Sequence, residues 1–353
     1  MSKRILIKSH KGEYSVTFDS SGIDYLDSNP IEDALYIVDA NISRLYRSKL
    51  QGILNPKRSL VIEATESNKS LDKFTDYIES LMKLNIKRGQ PLVAIGGGII
   101  QDITCFLAAT MMRGLPWIFY PTTLLAQSDS CIGSKSSINS GDTKNILGTF
   151  TPPNKIILDI NFLSTLEQQD IYSGIGEMIK VHAIDSPESF DRISNHYDKI
   201  LSDQKLMEDF IYDSLLMKKK LIEIDEFDEG PRNIMNYGHS FGHAIESATN
   251  YAVPHGIAIT IGMDLANFVA FKLKISTQEH FERMHKVLDK NCITFRDTEI
   301  NVQSVMYALQ KDKKNTKDKL RLILPDHEGQ IKIGLYNKTD ELQQIVEQYF
   351  TIH

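Results

Sequence analysis

Four short apolar runs, separated by stretches of helical period or by turns, restrict the fold of this chain more than any other feature. "ALYIVDA" (34–40), "SLVIEA" (59–64), "PLVAIGG" (91–97) and "PWIFYPT" (116–122) read as buried strands. "KSLDKFTDYIESLMKLNI" (69–86) and "IQDITCFLAATMM" (100–112) read as helices between them. This βαβ alternation predicts an α/β fold, a parallel sheet with helices on its faces. From about residue 165 the β signal fades, and "DIYSGIGEMIKVHAI", "SLLMKKKLIEIDEF", "HGIAITIGMDLANFVAFKL" and "TDELQQIVEQYF" are helical in period. No Pro/Ser-rich linker or internal repeat intervenes, so the boundary is tight, at the "TPP" of 151–153 or shortly after. The reading assigns 1–160 to the α/β domain and 161–353 to a mainly α-helical one, with an active site expected in the cleft between them.

The 353 residues are enough for two domains, and 41% hydrophobic with 24% charged residues is an ordinary globular balance. A net charge of −6 argues against nucleic-acid or anionic-membrane partners, so an anionic substrate requires a locally basic pocket. The sequence shows no membrane-span window and no signal-peptide core at "MSKRILIKSHKGEYSV", which alternates like a strand. Cys105, Cys131 and Cys292 are odd in number and far apart, against a zinc knuckle or disulfide framework. A cytoplasmic protein with reduced thiols is expected.

"AIGGGIIQD" (94–102) sets three glycines between an apolar strand and a helix. That order suits a nucleotide phosphate, because glycine admits close approach and the helix start offers free N–H groups. Asp102 falls on the first turn as a cap or a cofactor contact. "SDSCIGSKSSINSGDTKNILGTF" (128–150) reads as a long polar loop; its Lys135, Lys144 and Asn145 are either solvated or a phosphate cradle. In "GEMIKVH" (176–182), Glu177 and Lys180 share a face of an apolar helix, where an unpaired carboxylate is costly and a metal would account for it. Three of the ten histidines, His239, His243 and His255, fall close together, the first two one helical turn apart. The segment is not HExxH, so it gives no support to a zinc protease. Lys218 and Arg232 recur nearby, as an acidic small substrate would require.

Together these segments resemble the 3-dehydroquinate synthases of the sugar-phosphate cyclase superfamily. The resemblance runs in order through "GGGIIQD", "MMRG", "PTTLLAQSDSCIGSKSSIN", "KNILGTF", "SGIGEMIK", "DEFDEGPRNIMNYGHSFGHAIE", "PHG" and "DKKNTKDKLRLIL". It implies an N-terminal Rossmann-like NAD domain, a helical metal domain and a homodimer. It implies Glu177, His239 and His255 as ligands of zinc, with cobalt as the alternative, and His243 as the proton-handling histidine at the substrate phosphate. Lys135, Asn145, Lys180 and His243 match the phosphate pocket, with Arg113 entering from the partner subunit. Lys218 and Arg232 match the pair holding a substrate carboxylate, near Asn236 and Lys144, and Lys313 or Lys314 supplies one more cation. The NAD positions are Asp39, Asn41, Glu66, Lys69, Gly97, Gly98, Asp102, Thr122, Thr123, Asp129, Phe162 and Thr165, with Lys135 and Lys144 at the edge of that set. Three positions depart from the pattern: Ser134 for glycine, Asp228 for glutamate, and Ile257 where many members carry glutamate.

The implied substrate is 3-deoxy-D-arabino-heptulosonate 7-phosphate. The implied reaction oxidises C5 with NAD, eliminates phosphate, returns the hydride, and closes the carbocycle by an intramolecular aldol step. Other cyclases acting on sedoheptulose 7-phosphate or glucose 6-phosphate, and metal-dependent NAD polyol dehydrogenases, share this plan. A dehydrogenase needs fewer cations and releases NADH at each turnover. An inactive homologue would have lost charged site residues, and all are present.

Overall fold

The computed structural model describes residues 3–141, 143–311, 315 and 318–352. Lys313 and Lys314 lie outside them. Residue contacts divide the chain into two compact units: Met1–Leu166 with Lys218–Glu229, and Glu167–Met217 with Gly230–His353. The stretch 218–229 thus belongs with the N-terminal unit although it lies far along the chain.

In the first unit the N-terminus forms a hairpin, β1 (Arg4–Ser9) and β2 (Gly12–Phe18), followed by α1 (Gly22–Ser28). Then come β3 (Leu35–Asp39), α2 (Ala40–Leu45), β4 (Ser59–Ile62), α3 (Leu71–Lys83), β5 (Leu92–Gly96), α4 (Gly98–Thr110) and β6 (Trp117–Pro121). Each of the four apolar runs is a strand, and both expected helices are present. A hairpin of β7 (Lys135–Ser140) and β8 (Thr143–Phe150) precedes the last strand, β9 (Lys155–Leu158). The seven-stranded sheet has the order β1-β2-β9-β6-β5-β3-β4, parallel except between β1 and β2. β3 and β5 lie side by side while their crossovers leave in opposite directions, so the topology switches at their carboxyl ends, where open α/β sheets bind ligands. Asp39 ends β3 and Gly96 ends β5.

The polar segment 128–150 reads as a loop, yet it contains this antiparallel hairpin. The cause is exposure: β8 shows solvent along nearly its whole length, so neither face has to be apolar and no alternation marks it.

The second unit is mainly helical: α5 (Gln168–Asp185), α6 (Pro187–Ile200), most of α7 (Gln204–Ile224), α8 (His239–Ala248), α9 (His255–Lys272), α10 (Gln278–Asn291), α11 (Val302–Gln310) and α12 (Asp340–Ile352). It also holds a hairpin of β10 (Lys319–Pro325) and β11 (Ile331–Asn337), which the helical reading of this half lacks. α9 is its central element, buried without a break from Gly256 to Ala270. A helix apolar all round belongs inside a bundle. No helix among the described residues is long and apolar enough to cross a membrane.

Candidate functional site

The metal-ligand candidates come from three helices of the second unit. Glu177 and Lys180 sit on α5, His239 opens α8, and His255 opens α9. Two glycines allow this convergence. A Cβ at Gly256 would fall 1.9 Å from the Ser173 carbonyl oxygen, so only glycine lets α9 come this close to α5, beside Glu177. Gly238 caps α8 in the left-handed conformation, φ +77°, and a Cβ there would meet the Ile259 carbonyl oxygen of α9 at 2.7 Å.

Glu177 Oε1 is buried and has no hydrogen-bond partner, while Oε2 is paired with the buried Lys180 ammonium. Nε2 of His255 lies 3.6 Å from Oε1 and Nε2 of His239 lies 3.9 Å from it. Both rings are held from behind. His239 Nδ1 stands 3.2 Å from the Tyr237 carbonyl oxygen and His255 Nδ1 3.2 Å from Glu246 Oε1. Such partners fix the tautomer and turn the other nitrogen toward a metal. His243 lies one turn along α8, more exposed than the other two, and ligand nitrogens of all three histidines fall within 4.8 Å of one another. Geometry alone therefore offers four ligand candidates.

The electrostatics separate the rings. Burial, reinforced by the Lys180 charge, holds the His239 pKa well below its ordinary value, so the ring is neutral and its lone pair available. Burial also works against charge on His255, but the Glu246 hydrogen bond and the Glu177 charge outweigh it and raise the pKa. The two carboxylates thus favour the charged form of the His255 ring. Arg232 and Asn236 sit on the short 3₁₀ turn Pro231–Asn236 leading to α8, with Arg232 buried and the Asn236 amide donating to the Asn233 carbonyl.

In the first unit, the expected nucleotide residues collect at the carboxyl edge of the sheet. Asp39 caps α2 by accepting from Asn41 N at 2.8 Å, and burial raises its pKa. Gly97 and Gly98 open α4 without a side-chain cap, which leaves N–H groups for an anion. Thr122 and Thr123 follow β6, and Thr122 N donates to the Gly96 carbonyl. Lys69 lies 3.1 Å from Asp102 and 3.4 Å from Glu66, and donates to Asn145 Oδ1 at 2.9 Å. That cluster ties the glycine turn's helix to the β7–β8 hairpin. Lys218 pairs with Asp129 at 2.9 Å, Lys135 pairs with Asp228, and Lys144 is exposed. Phe162 is packed in the core, edge-on to Tyr46 at 5.1 Å, and Thr165 Oγ1 lies 3.1 Å from the Tyr46 hydroxyl. Arg113 follows the far end of α4, roughly 20 Å along that helix from Gly98 at 1.5 Å per residue. Sequence reasoning missed Glu246, seven residues after His239 and on the same face of α8; that spacing was the available signal.

The family model described as 3-dehydroquinate synthase N-terminal matches residues 59–173, and the one described as 3-dehydroquinate synthase C-terminal matches residues 174–315. The chain belongs to the 3-dehydroquinate synthase family. A 3-dehydroquinate synthase of Dehalococcoides mccartyi (strain ATCC BAA-2266 / KCTC 15142 / 195) is 36% identical over 306 residues, 85% of each chain. One of Dictyoglomus turgidum is 36% identical over 335 residues, 94% of this chain and 88% of its own. Among solved structures, a 2-deoxy-scyllo-inosose synthase complexed with carbaglucose-6-phosphate, NAD+ and Co2+ superposes with a TM-score of 0.83 at 23% identity, covering 99% of this chain and 100% of its own. Family membership accounts for the order of motifs along both units. The fold is that of a sugar-phosphate cyclase, as the resemblance implied.

Proposed function

We infer that this 3-dehydroquinate synthase family member is a carbon–oxygen lyase that converts 3-deoxy-D-arabino-heptulosonate 7-phosphate to 3-dehydroquinate and phosphate. Its cofactors in this reading are NAD and a divalent metal, zinc in the first instance. The observation that carries the metal is the buried Glu177 Oε1, without a hydrogen-bond partner and facing two imidazoles whose other nitrogens are already held. A carboxylate oxygen and two imidazole nitrogens suit zinc or cobalt and leave open positions for substrate. When bound, the metal acidifies a substrate hydroxyl and NAD accepts and returns the hydride.

The chain's own residues do the rest. Glu177, His239 and His255 hold the metal; Lys180 fixes the Glu177 carboxylate, and Glu246 fixes the His255 ring. Asp39, Asn41, Glu66, Lys69, Gly97, Gly98, Asp102, Thr122, Thr123, Asp129, Phe162 and Thr165 hold NAD, with the uncapped start of α4 at its phosphates. Lys135, Asn145, Lys180 and His243 bind the substrate phosphate, and His243 exchanges a proton with its oxygens. Lys218 and Arg232, with Asn236 and Lys144, bind the carboxylate. Asp129 and Asp228 keep Lys218 and Lys135 paired, so binding exchanges one anionic partner for another. Arg113, remote from its own α4 start, serves a partner subunit's site in a cytoplasmic homodimer.

Phosphate release from the heptulosonate 7-phosphate by purified protein tests the reading. Release without accumulation of NADH supports it. NADH formed in step with product would instead make the chain a dehydrogenase.

A further inference from the structure

Three consecutive residues just after α7 tie its end to the β1–β2 turn and to both strands of the β7–β8 hairpin, all within the first unit. Glu226 holds the turn. Its Oε2 accepts from the His10 backbone N–H at 2.7 Å, and its Oε1 accepts from His10 Nδ1 at 2.9 Å. The Phe227 ring lies 5.2 Å from the His10 ring and, edge-on, 5.0 Å from that of Phe150 on β8. Asp228 pairs with Lys135 of β7, and Lys135 stands directly across the β7–β8 ladder from Phe150. The clamp therefore closes on the strand pair that carries Lys135 and Asn145.

Phe227 is 44% exposed, so apolar burial does little to hold this segment and the bonds to Glu226 matter more. One turn back, Glu223 Oε1 accepts from the Lys8 backbone N–H at 2.9 Å and docks the same helix end on β1. Burial works against charge on Glu226, but the hydrogen bonds from His10 outweigh it and hold its pKa below the ordinary carboxylate value. Asp228 takes the left-handed conformation, φ +58°, which Asp adopts more readily than most residues. Its side chain is 15% exposed, so the carboxylate is not free to swing into solvent. A fixed carboxylate satisfies the Lys135 ammonium and repels a second anion that approaches it. A pocket that must let inorganic phosphate go after each turnover gains from such a competitor, which lowers the fraction of Lys135 open to phosphate.

We propose that His10 and Glu226 are positioning residues that fix Asp228 against Lys135 as an internal counter-anion and so weaken phosphate binding there, a role that rests on Lys135 serving the phosphate pocket.

Inorganic phosphate is the probe, titrated by calorimetry into metal- and NAD-loaded protein. The proteins compared are wild type, His10→Ala, His10→Asn, Lys135→Ala and the His10→Ala/Lys135→Ala double variant. His10→Ala should bind phosphate about fivefold tighter, because the open fraction of Lys135 rises. His10→Asn, whose amide N–H can stand in for the ring Nδ1–H, should bind as the wild type does. Lys135→Ala should weaken phosphate by about tenfold, and adding His10→Ala to it should change nothing further. Damage to the fold lowers affinity, so a gain that requires Lys135 is not what a merely structural role produces. Equal or weaker binding by His10→Ala would overturn the proposal, as would the same gain in the Lys135→Ala background. Phosphate affinity untouched by Lys135→Ala would instead overturn the assignment of Lys135 to the phosphate pocket.

Discussion

Glu177 Oε1 and His255 Nε2 face each other at 3.6 Å across α5 and α9, with no hydrogen bond to the oxygen. A metal gives both atoms a partner at once. We expect Ala at Glu177, His239 or His255 to abolish stoichiometric metal binding, and His243→Ala to retain it, by elemental analysis of dialysed protein. Chelation of the wild type should lower Tm, since a ligand held only by the folded state stabilises it. Metal lost from the His243 variant and kept in the His239 variant would reverse the assignment.

The backbone contact beside this pair makes its own prediction. A Cβ at residue 256 cannot coexist with the Ser173 carbonyl at 1.9 Å, so α9 and α5 must part. Gly256→Ala should cost about 1–3 kcal/mol of stability, the usual range for overpacking, and weaken metal binding at least tenfold. Urea unfolding and a competitive metal titration measure the two effects. A variant with unchanged stability and metal affinity would show that the close approach is not what assembles the ligands.

Much of this geometry was legible in the sequence, for physical reasons that also mark where legibility ended. β3, β5 and β6 are buried and had to be apolar, whereas β4, at the sheet edge, is only partly buried and not the buried strand its sequence suggests; His239 and His243 share a face because they are one turn apart. Glu177 stood out because a carboxylate on an apolar helix needs a partner. β8 left no pattern because it is exposed. Residues 218–229 could not be given to the first unit from the sequence, because only contacts distant along the chain put them there.

Stability should fall in mild acid through two buried histidines. Burial lowers the pKa of His182 and of His280 to about 4, helped by the charges of Arg192 and Arg283 respectively. In the unfolded chain both titrate near 6.5. Between these values the unfolded state binds more protons, so this contribution is whole above about pH 6.5 and is lost as pH falls toward 4. Each group is worth up to about 3 kcal/mol on this basis. His182→Gln, which replaces a ring 2.8 Å from Ser189 Oγ, should flatten the dependence between pH 7 and 5. An identical slope in wild type and variant by urea unfolding would remove His182 from the account.

The last prediction concerns which sugar phosphate is used. If the phosphate pocket proposed above can serve any sugar phosphate, discrimination lies where the substrate carries either a carboxylate or a neutral hydroxymethyl group. A carboxylate requires charge-assisted donors, and the planar fork of arginine suits it. Arg232 is buried on the 3₁₀ turn before α8, and Lys218 is almost fully buried against Asp129. A neutral hydroxymethyl group offers these cations no charge-assisted acceptor, whereas a carboxylate does. Both residues are present, so the keto acid is expected over sedoheptulose 7-phosphate or glucose 6-phosphate. Arg232→Ala should lower kcat/KM for the heptulosonate by about a hundredfold, close to 3 kcal/mol at ~1.4 kcal/mol per decade, while bound metal stays stoichiometric. Wild-type turnover of sedoheptulose 7-phosphate at a comparable kcat/KM would sink the assignment. Attention would then move to Ser134, Asp228 and Ile257, of which Asp228 touches Lys135 directly and Ile257 is fully buried at the start of α9 beside His255.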